Sequence, residues 1–377
     1  MKMKLSNLKK WSPGYLQQLE PEFFKWFASV KPALYTQLLS FENRHDLTTD
    51  EKNTADELAE ITFAIYLTFK ADELESEPEK VTVVPATRGV INNSKVMAIL
   101  PKVSALDGSP RVNCNVGTKS KEILVPMRLS TTDKLLPANI TPYDKAVFDG
   151  VCTLTEAGNV TFTPEMVYRA MNGKKGDTAV SQAAKRKVTE SLEKQMMTLV
   201  TIDFYNQAEA YGMTKPTDKR EKFVLKGNML YLQKGTHVIN GVEVETAFKL
   251  IKQPSLLSYA KRFNHVLYVP ISTFDMGNAL RGSDEITVIT RYIAQQLIIM
   301  RGGHIQKKME YNTIFENCGI TGKDPKQIQR YKGYVKTILE EYAKKPIDEK
   351  ASEGKTFLKS FKEYKKGRSV VGVEIAL

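Results

Sequence analysis

The dipeptide Asn240-Gly241 lies between two runs of alternating residues, GTHVI and VEVETAFKL. Asn and Gly both accept positive φ, so the pair closes a two-residue turn whose twist matches that of the strands on either side. A β-hairpin is therefore expected here. Helices are expected before it. Thr141-Pro142 reads as an N-cap with proline at the first helical position, and the helix runs to Gly158 with Ala146, Val147, Val151 and Leu154 on one face. A short β segment, VTFT, leads to a second cap-and-proline pair, Thr163-Pro164, and a helix that stops at Gly173. A long helix follows from about Ala179 to Met197, and the β runs TLVTIDF and FVLKGNMLYL separate it from the hairpin.

The order then recurs. Asp284 starts a helix through Met300, a short helix spans about Tyr311 to Cys318, and Asp324-Pro325 opens a long helix to about Lys344. Two strands, FLKSFKEY and SVVGVEIAL, end the chain around Lys365-Lys366-Gly367-Arg368. Residues 266–273 (VLYVPIST) also resemble 123–130 (ILVPMRLS), each a strand with Val-Pro inside it. Three helices and a hairpin, twice over, is the order of two winged helices, a helix-turn-helix variant whose third helix reads DNA. The fold class expected is α+β, with a helical N-terminal extension at 1–80. A linker or irregular β segment at 81–120 precedes winged helices at 121–253 and 254–377. A single larger α/β domain with two similar halves is the competing reading. In the extension, residues 13–40 carry the periodic set Leu16, Leu19, Phe23, Phe24, Phe27, Leu34 and Leu38. Thr49 or Asp50 is expected to cap a helix with Leu58, Ile61, Ile65 and Leu67 on one face.

Charge is unevenly spread. The chain of 377 residues has a net charge of +12. Residues 1–80 hold 10 Lys/Arg against 14 Asp/Glu, a net of −4, which leaves +16 on the rest. A basic body is suited to a polyanion. No run approaches a membrane span, the start MKMKLSNLKKW leads into no apolar segment, and the three cysteines, Cys114, Cys152 and Cys318, share no motif spacing. A cytoplasmic protein with reduced thiols and no membrane partner is expected.

Enzyme signatures are missing from the sequence. There is no phosphate-binding G-x-x-x-x-G-K-[ST] loop, and His45, His237, His265 and His304 stand far apart with no H-x-H or H-E-x-x-H pairing. No catalytic residue, metal or cofactor is expected. The basic positions are more informative. Lys174 and Lys175 precede the first long helix, and Ser181, Gln182, Lys185, Arg186 and Lys187 lie in its first half. Lys323, Lys326, Gln327, Gln329, Arg330, Lys332 and Lys336 occupy the corresponding stretch of the second, and Lys365, Lys366 and Arg368 crowd the last turn. A recognition helix inserts its N-terminal half into the major groove, where Arg reads guanine and Gln reads adenine. Lys holds phosphate, and a basic wing suits the backbone or the minor groove. A solvated helix face and a solubilising turn are the bland alternatives. Residues 323–368 carry 14 Lys/Arg and 7 Asp/Glu, a net of +7, which favours the second unit as the tighter binder.

The stretches TPYDK with AVFDGVCTLTEAGNVTFTPEMVYRAMNGK, then INGVEVETAFKLIKQPSLLSYAKRFNHVLYVPIS, then KKGRSVVGVEIAL, resemble replication initiators of plasmids and related mobile elements. The resemblance covers roughly residues 121–377 and rests on the order of segments, since no single motif is diagnostic. It implies binding to repeated double-stranded origin sites, opening of nearby DNA, and recruitment of host or phage replication proteins. It also implies a homodimer contact through the first winged helix and the stronger base contacts through the second. The alternatives are a transcriptional regulator that represses its own promoter with the same parts, and a virion-associated structural DNA-binding protein.

Overall fold

The computed structural model describes residues 15–16, 21–42, 44, 46–74, 80–102, 111–118, 120–131, 139–215, 217–303, 307–320, 324–346 and 356–377. The chain divides into two compact units, Met1–Lys80 and Val81–Leu377. The N-terminal run MKMKLSNLKKW, the Glu-rich stretch at 75–79, His304 and Lys323 lie outside the described residues.

The first unit is helical: α1 (Pro21–Val30), α2 (Pro32–Phe41) and α3 (Thr49–Leu74). The periodic stretch at 13–40 contains a break. Pro32 lacks an N–H and disfavours helical backbone in the residue before it, and Lys31 sits at φ −129°, ψ 56°. Thr48 rather than Thr49 or Asp50 holds the start of α3, where the Glu51 carboxylate accepts its N–H and hydroxyl, both at 2.9 Å. Phe23, Phe27, Leu38, Ala59 and Tyr66 form the core, with Phe23 edge-on to Tyr66 at 5.0 Å.

The second unit mixes helix and sheet and is α+β. The strand β1 spans Lys80–Val81. The stretch expected as linker or irregular β carries regular elements: β2 (Arg88–Asn92), α4 (Lys95–Ile99) and β3 (Arg111–Asn115), with Val90, Val96, Met97 and Cys114 buried. Next come β4 (Leu124–Thr131), α5 (Pro142–Glu156), β5 (Thr161–Phe162), α6 (Pro164–Asn172) and α7 (Gln182–Met197). Then β6 (Thr198–Asp203), α8 (Tyr205–Ala210) and β7 (Val224–Asn228) intervene before the hairpin β8 (Tyr231–Ile239) and β9 (Val242–Lys252). After α9 (Ser255–Arg262) and β10 (Val266–Pro270) the series resumes with α10 (Asp284–Arg301), β11 (Lys308–Glu310), α11 (Tyr311–Asn317) and α12 (Pro325–Lys344). It ends with β12 (Ser360–Lys366) and β13 (Ser369–Ala376).

Two segments share one topology. In 142–252 the order is helix, short strand, helix, helix, hairpin, and the short strand β5 pairs antiparallel with the second hairpin strand β9, Phe162 opposite Phe248. In 284–376 the order is the same, and β11 pairs antiparallel with β13, Met309 opposite Val373. The likeness of 123–130 to 266–273 stops at the sequence: β4 lies between β3 and β6 in a four-stranded sheet completed by β7, whereas β10 pairs, among the described residues, only with β2. The β6–α8–β7 excursion is present in the first repeat alone among the described residues.

Each repeat has its own apolar core, one containing Phe148, Val151, Phe162 and Leu192, the other Ile293, Leu297, Tyr331 and Ile338. Helix amphipathicity builds both. On α7 the buried side is Val188, Ser191, Leu192 and Gln195, and on α12 it is Tyr331, Val335, Ile338, Leu339 and Tyr342. The start of α5 is locked to α7. Thr141 and Asp144 form a capping box, and the buried Asp144 carboxylate also accepts the Ser191 hydroxyl at 2.6 Å and Lys194 Nζ at 2.8 Å.

A buried polar joint fastens the repeats to each other. Arg291 of α10 donates to the carbonyls of Met171 (2.9 Å) and Val90 (2.6 Å), lies 3.4 Å from Asp149 Oδ2, and stacks 4.1 Å above the Phe274 ring. Burial lowers its pKa, and the Asp149 carboxylate opposes that shift without cancelling it. Thr287 donates to Asn172 Oδ1 at 2.6 Å across the same joint. Gly173, the left-handed C-cap of α6 at φ 63°, is needed there twice over. A Cβ would fall 2.3 Å from the Ile271 carbonyl oxygen.

Candidate nucleic-acid interface

The outward side of α12 is built by the same periodicity that builds its inward side. Asp324 caps the helix through the Gln327 N–H at 2.8 Å, and Pro325 follows at the first position. With Tyr331 and Val335 turned in, Lys326, Gln329, Arg330 and Gly333 are exposed at spacings of three, four and seven residues, which places them on one face. Arg330 leans over the rings of Tyr331 and Tyr334, at 5.3 and 6.0 Å, and its pKa is raised, first by a side-chain hydrogen bond with Tyr331. Gln327 is half-buried. Lys332 is directed back across the helix, 5.2 Å over the Tyr311 ring and 3.4 Å from the Val370 carbonyl. Lys336 pairs with Glu363 of β12 at 3.0 Å.

The hairpin beside it turns at Gly367-Arg368, with Gly367 at φ 64°. Lys362 pairs with Glu374 at 3.1 Å nearer the base of the hairpin, and Lys366, exposed directly before the turn, pairs with Glu310 at 2.7 Å. Lys365 and Arg368 are exposed at its tip.

The corresponding positions in the first repeat are mostly engaged. Ser181 is the N-cap of α7, accepting the Ala184 N–H at 3.3 Å. Gln182 is exposed and Lys175 is exposed in the loop before it. Lys174 is tied to Asp275 at 2.5 Å, in the joint between repeats. Burial would raise the Asp275 pKa, but the bond from Lys174 keeps it below the usual carboxylate range. Lys185 pairs with Glu165, Arg186 with Glu190 at 3.5 Å, and Lys187 with Asp284 at 2.6 Å. The groove between α7 and β9, about 650 Å³, is bordered by Glu165, Glu190, Glu193, Glu243 and Glu245 against Lys185 and Arg186. The hairpin turn itself is held from inside the chain: Asn240 donates its N–H to the Val81 carbonyl (2.8 Å) and accepts the Val83 N–H on Oδ1 (3.0 Å).

These glutamates, and Gly333, were not singled out from sequence. The signal for Gly333 is a glycine inside a strong helix pattern, which is readable but has no meaning until the space around it is known. Cys114, Cys152 and Cys318 are free and buried, and burial pushes all three thiols up, which makes them poor nucleophiles. No three His, Cys, Asp or Glu side chains gather as a metal site among the described residues, and no helix there is long and apolar enough to cross a membrane.

No protein-family model matches the chain, and no curated protein does. Among solved structures, the crystal structure of selenomethionine derivatives of domains 2 and 3 of RctB is similar at a TM-score of 0.41 and 12% identity, over 76% of this chain and 98% of that one. A second crystal structure of RctB domains 2–3 is similar at 0.40 and 12%, over 75% and 97%.

Proposed function

We propose that the two repeats are winged helices in tandem and that the chain binds double-stranded DNA sequence-specifically, chiefly through the second. The observation that supports this is the exposed stripe Lys326, Gln329, Arg330 and Gly333 on the third helix of a helix–strand–helix–helix–hairpin unit, beside a hairpin tip carrying Lys365 and Arg368. Phosphate contacts from Lys hold the duplex, and Arg and Gln on the helix read base edges. With about 6–10 phosphates engaged, affinity falls by about 10³–10⁵-fold between 50 and 200 mM salt, a titration that separates this reading from one without charge. Salt-insensitive binding to the best duplex overturns it.

The biological step proposed is replication initiation at repeated origin sites, with recruitment of replication proteins. The resemblance of residues 121–377 to mobile-element initiators supports it. The chain then acts by binding, without cutting DNA or hydrolysing ATP. A plasmid that carries only this gene and its flanking DNA is expected to replicate in a suitable host. Failure there, with repression of the gene's own promoter retained, returns the regulator reading. Metal-dependent nicking by the purified chain overturns the non-enzymatic one.

A further inference from the structure

Gly333 is the one member of the exposed α12 stripe that lacks a side chain, and it sits well inside a helix of 20 residues. Glycine is among the weakest helix formers, so an internal glycine calls for a reason. The described residues supply none. A Cβ at Gly333 would meet nothing within 4 Å, and its φ is not among the positive ones. The contrast with Gly150 inside α5 is direct. A Cβ there would lie 3.1 Å from the Val167 carbonyl oxygen and 3.2 Å from Met171 Cβ, so α5 and α6 pack against bare backbone. At Gly333 no described residue packs against the bare backbone.

The neighbours identify its chemistry. Lys326, Gln329 and Arg330 share the face, and in the first repeat the residue nine past the N-cap, Glu190 after Ser181 as Gly333 after Asp324, is an acid. We infer that Gly333 is the point of closest approach between α12 and a DNA duplex. The missing side chain lets the helix settle deep enough in the major groove for Gln329 and Arg330 to reach base edges. The inference rests on the DNA reading above and adds to it a specificity-determining position with no functional group.

The test uses the full chain and a duplex selected by it from a randomised 20-base-pair library. Gly333→Ala and Gly333→Leu are compared with Arg330→Ala by fluorescence anisotropy and by thermal melting. Both glycine variants are expected to melt at or above the parent temperature, since each is a better helix former. Both are expected to bind the selected duplex more weakly, at least fivefold for Ala and more for Leu. Parent-like binding by both, with Arg330→Ala impaired, overturns the inference and leaves the DNA reading in place. Lowered melting temperatures overturn it as well, because the fold would then need the glycine. If Arg330→Ala also binds like the parent, or if the parent chain enriches no duplex, the DNA reading itself falls.

Discussion

The two repeats of the second unit carry one topology and opposite surfaces. Counted from the caps Ser181 and Asp324, buried Gln195 stands where α12 has Ile338, but two inward positions are matched in kind, Val188 and Leu192 against Tyr331 and Val335. The outward positions are not. Lys187 faces Asp284 where Arg330 is exposed, Glu190 stands where Gly333 does, and Glu193 where Lys336 does. The hairpins differ in the same sense: one tip is Asn240-Gly241 followed by Val242 and Glu243 and bound by Val81 and Val83, the other is Gly367-Arg368 preceded by two lysines. Apolar periodicity is what folds a repeat, and it leaves the outward residues free to diverge. A shared topology therefore predicts where a binding face would lie and says little about whether it is one.

The joint between the repeats sets the largest expected effect. Arg291 is buried, and Arg291→Met leaves the Asp149 carboxylate with Lys145 as its remaining cation at 3.2 Å and orphans two carbonyls. Removing one partner of a buried pair destabilises by about 3 kcal/mol or more. Denaturant titration by circular dichroism reads the loss. Hydrogen exchange reads its extent, with protection expected to fall in both α7 and α12. A loss confined to α12 would show that the repeats are separate bodies and weaken any comparison made at fixed geometry.

The second effect concerns the two long helices directly. Arg330→Ala is expected to lower affinity for a selected duplex by roughly ten- to hundredfold and for a scrambled duplex far less, as the loss of a base-reading Arg does. Arg186→Ala, which removes a cation already paired with Glu190, is expected to change either by less than about threefold. Equal losses for the two variants would erase the distinction between the repeats.

Much of this fold is legible in the sequence, for reasons that are local. Asp324-Pro325 followed by period-3.6 apolar residues gives α12 from Pro325 to Lys344, and Asn240-Gly241 gives its hairpin with both residues at positive φ, 51° and 80°. What was not legible depends on distant partners. The Val-Pro strands of 123–130 and 266–273 look alike, yet β4 pairs with its sequence neighbour β3 and the distant β6, whereas β10 pairs with the still more distant β2. Lys174, Lys185 and Lys187 read as free cations until Asp275, Glu165 and Asp284 are brought beside them. Local pattern specifies an element, but the charge that element presents depends on its neighbours in space.

The third effect is smaller and lies at the second hairpin. Replacing Lys365, Lys366 and Arg368 by Ala is expected to weaken selected and scrambled duplexes by similar factors, because phosphate carries no sequence. The slope of log affinity against log salt is expected to fall by about one for each phosphate no longer neutralised. The matching change at the first hairpin, Glu243→Ala with Glu245→Ala, is expected to leave that slope within error. A sequence-selective loss at the second hairpin would move base reading from α12 to the wing.

The smallest effect is the most direct test of what separates the repeats. If carboxylates on α7 keep DNA from the first repeat, replacing them should admit it. Glu190→Gly with Glu193→Lys gives α7 the residues that α12 has at the same distances from its cap. The double substitution also frees Arg186 from Glu190 and releases Lys234 from Glu193, leaving a second cation beside it. Surface ion pairs contribute little to stability, but a glycine inside a helix costs about 1 kcal/mol, so the melting temperature is expected to fall by a few degrees with the fold retained. Affinity for scrambled duplex is expected to rise about two- to threefold at low salt, with no gain in sequence preference, since added charge brings phosphate contact and not base contact. The rise should vanish as salt is raised, because exposed charges are screened beyond about 8 Å at physiological ionic strength. No change at low salt would mean that charge is not what distinguishes the first repeat, and the hairpin tip held at Asn240 would become the feature to vary next.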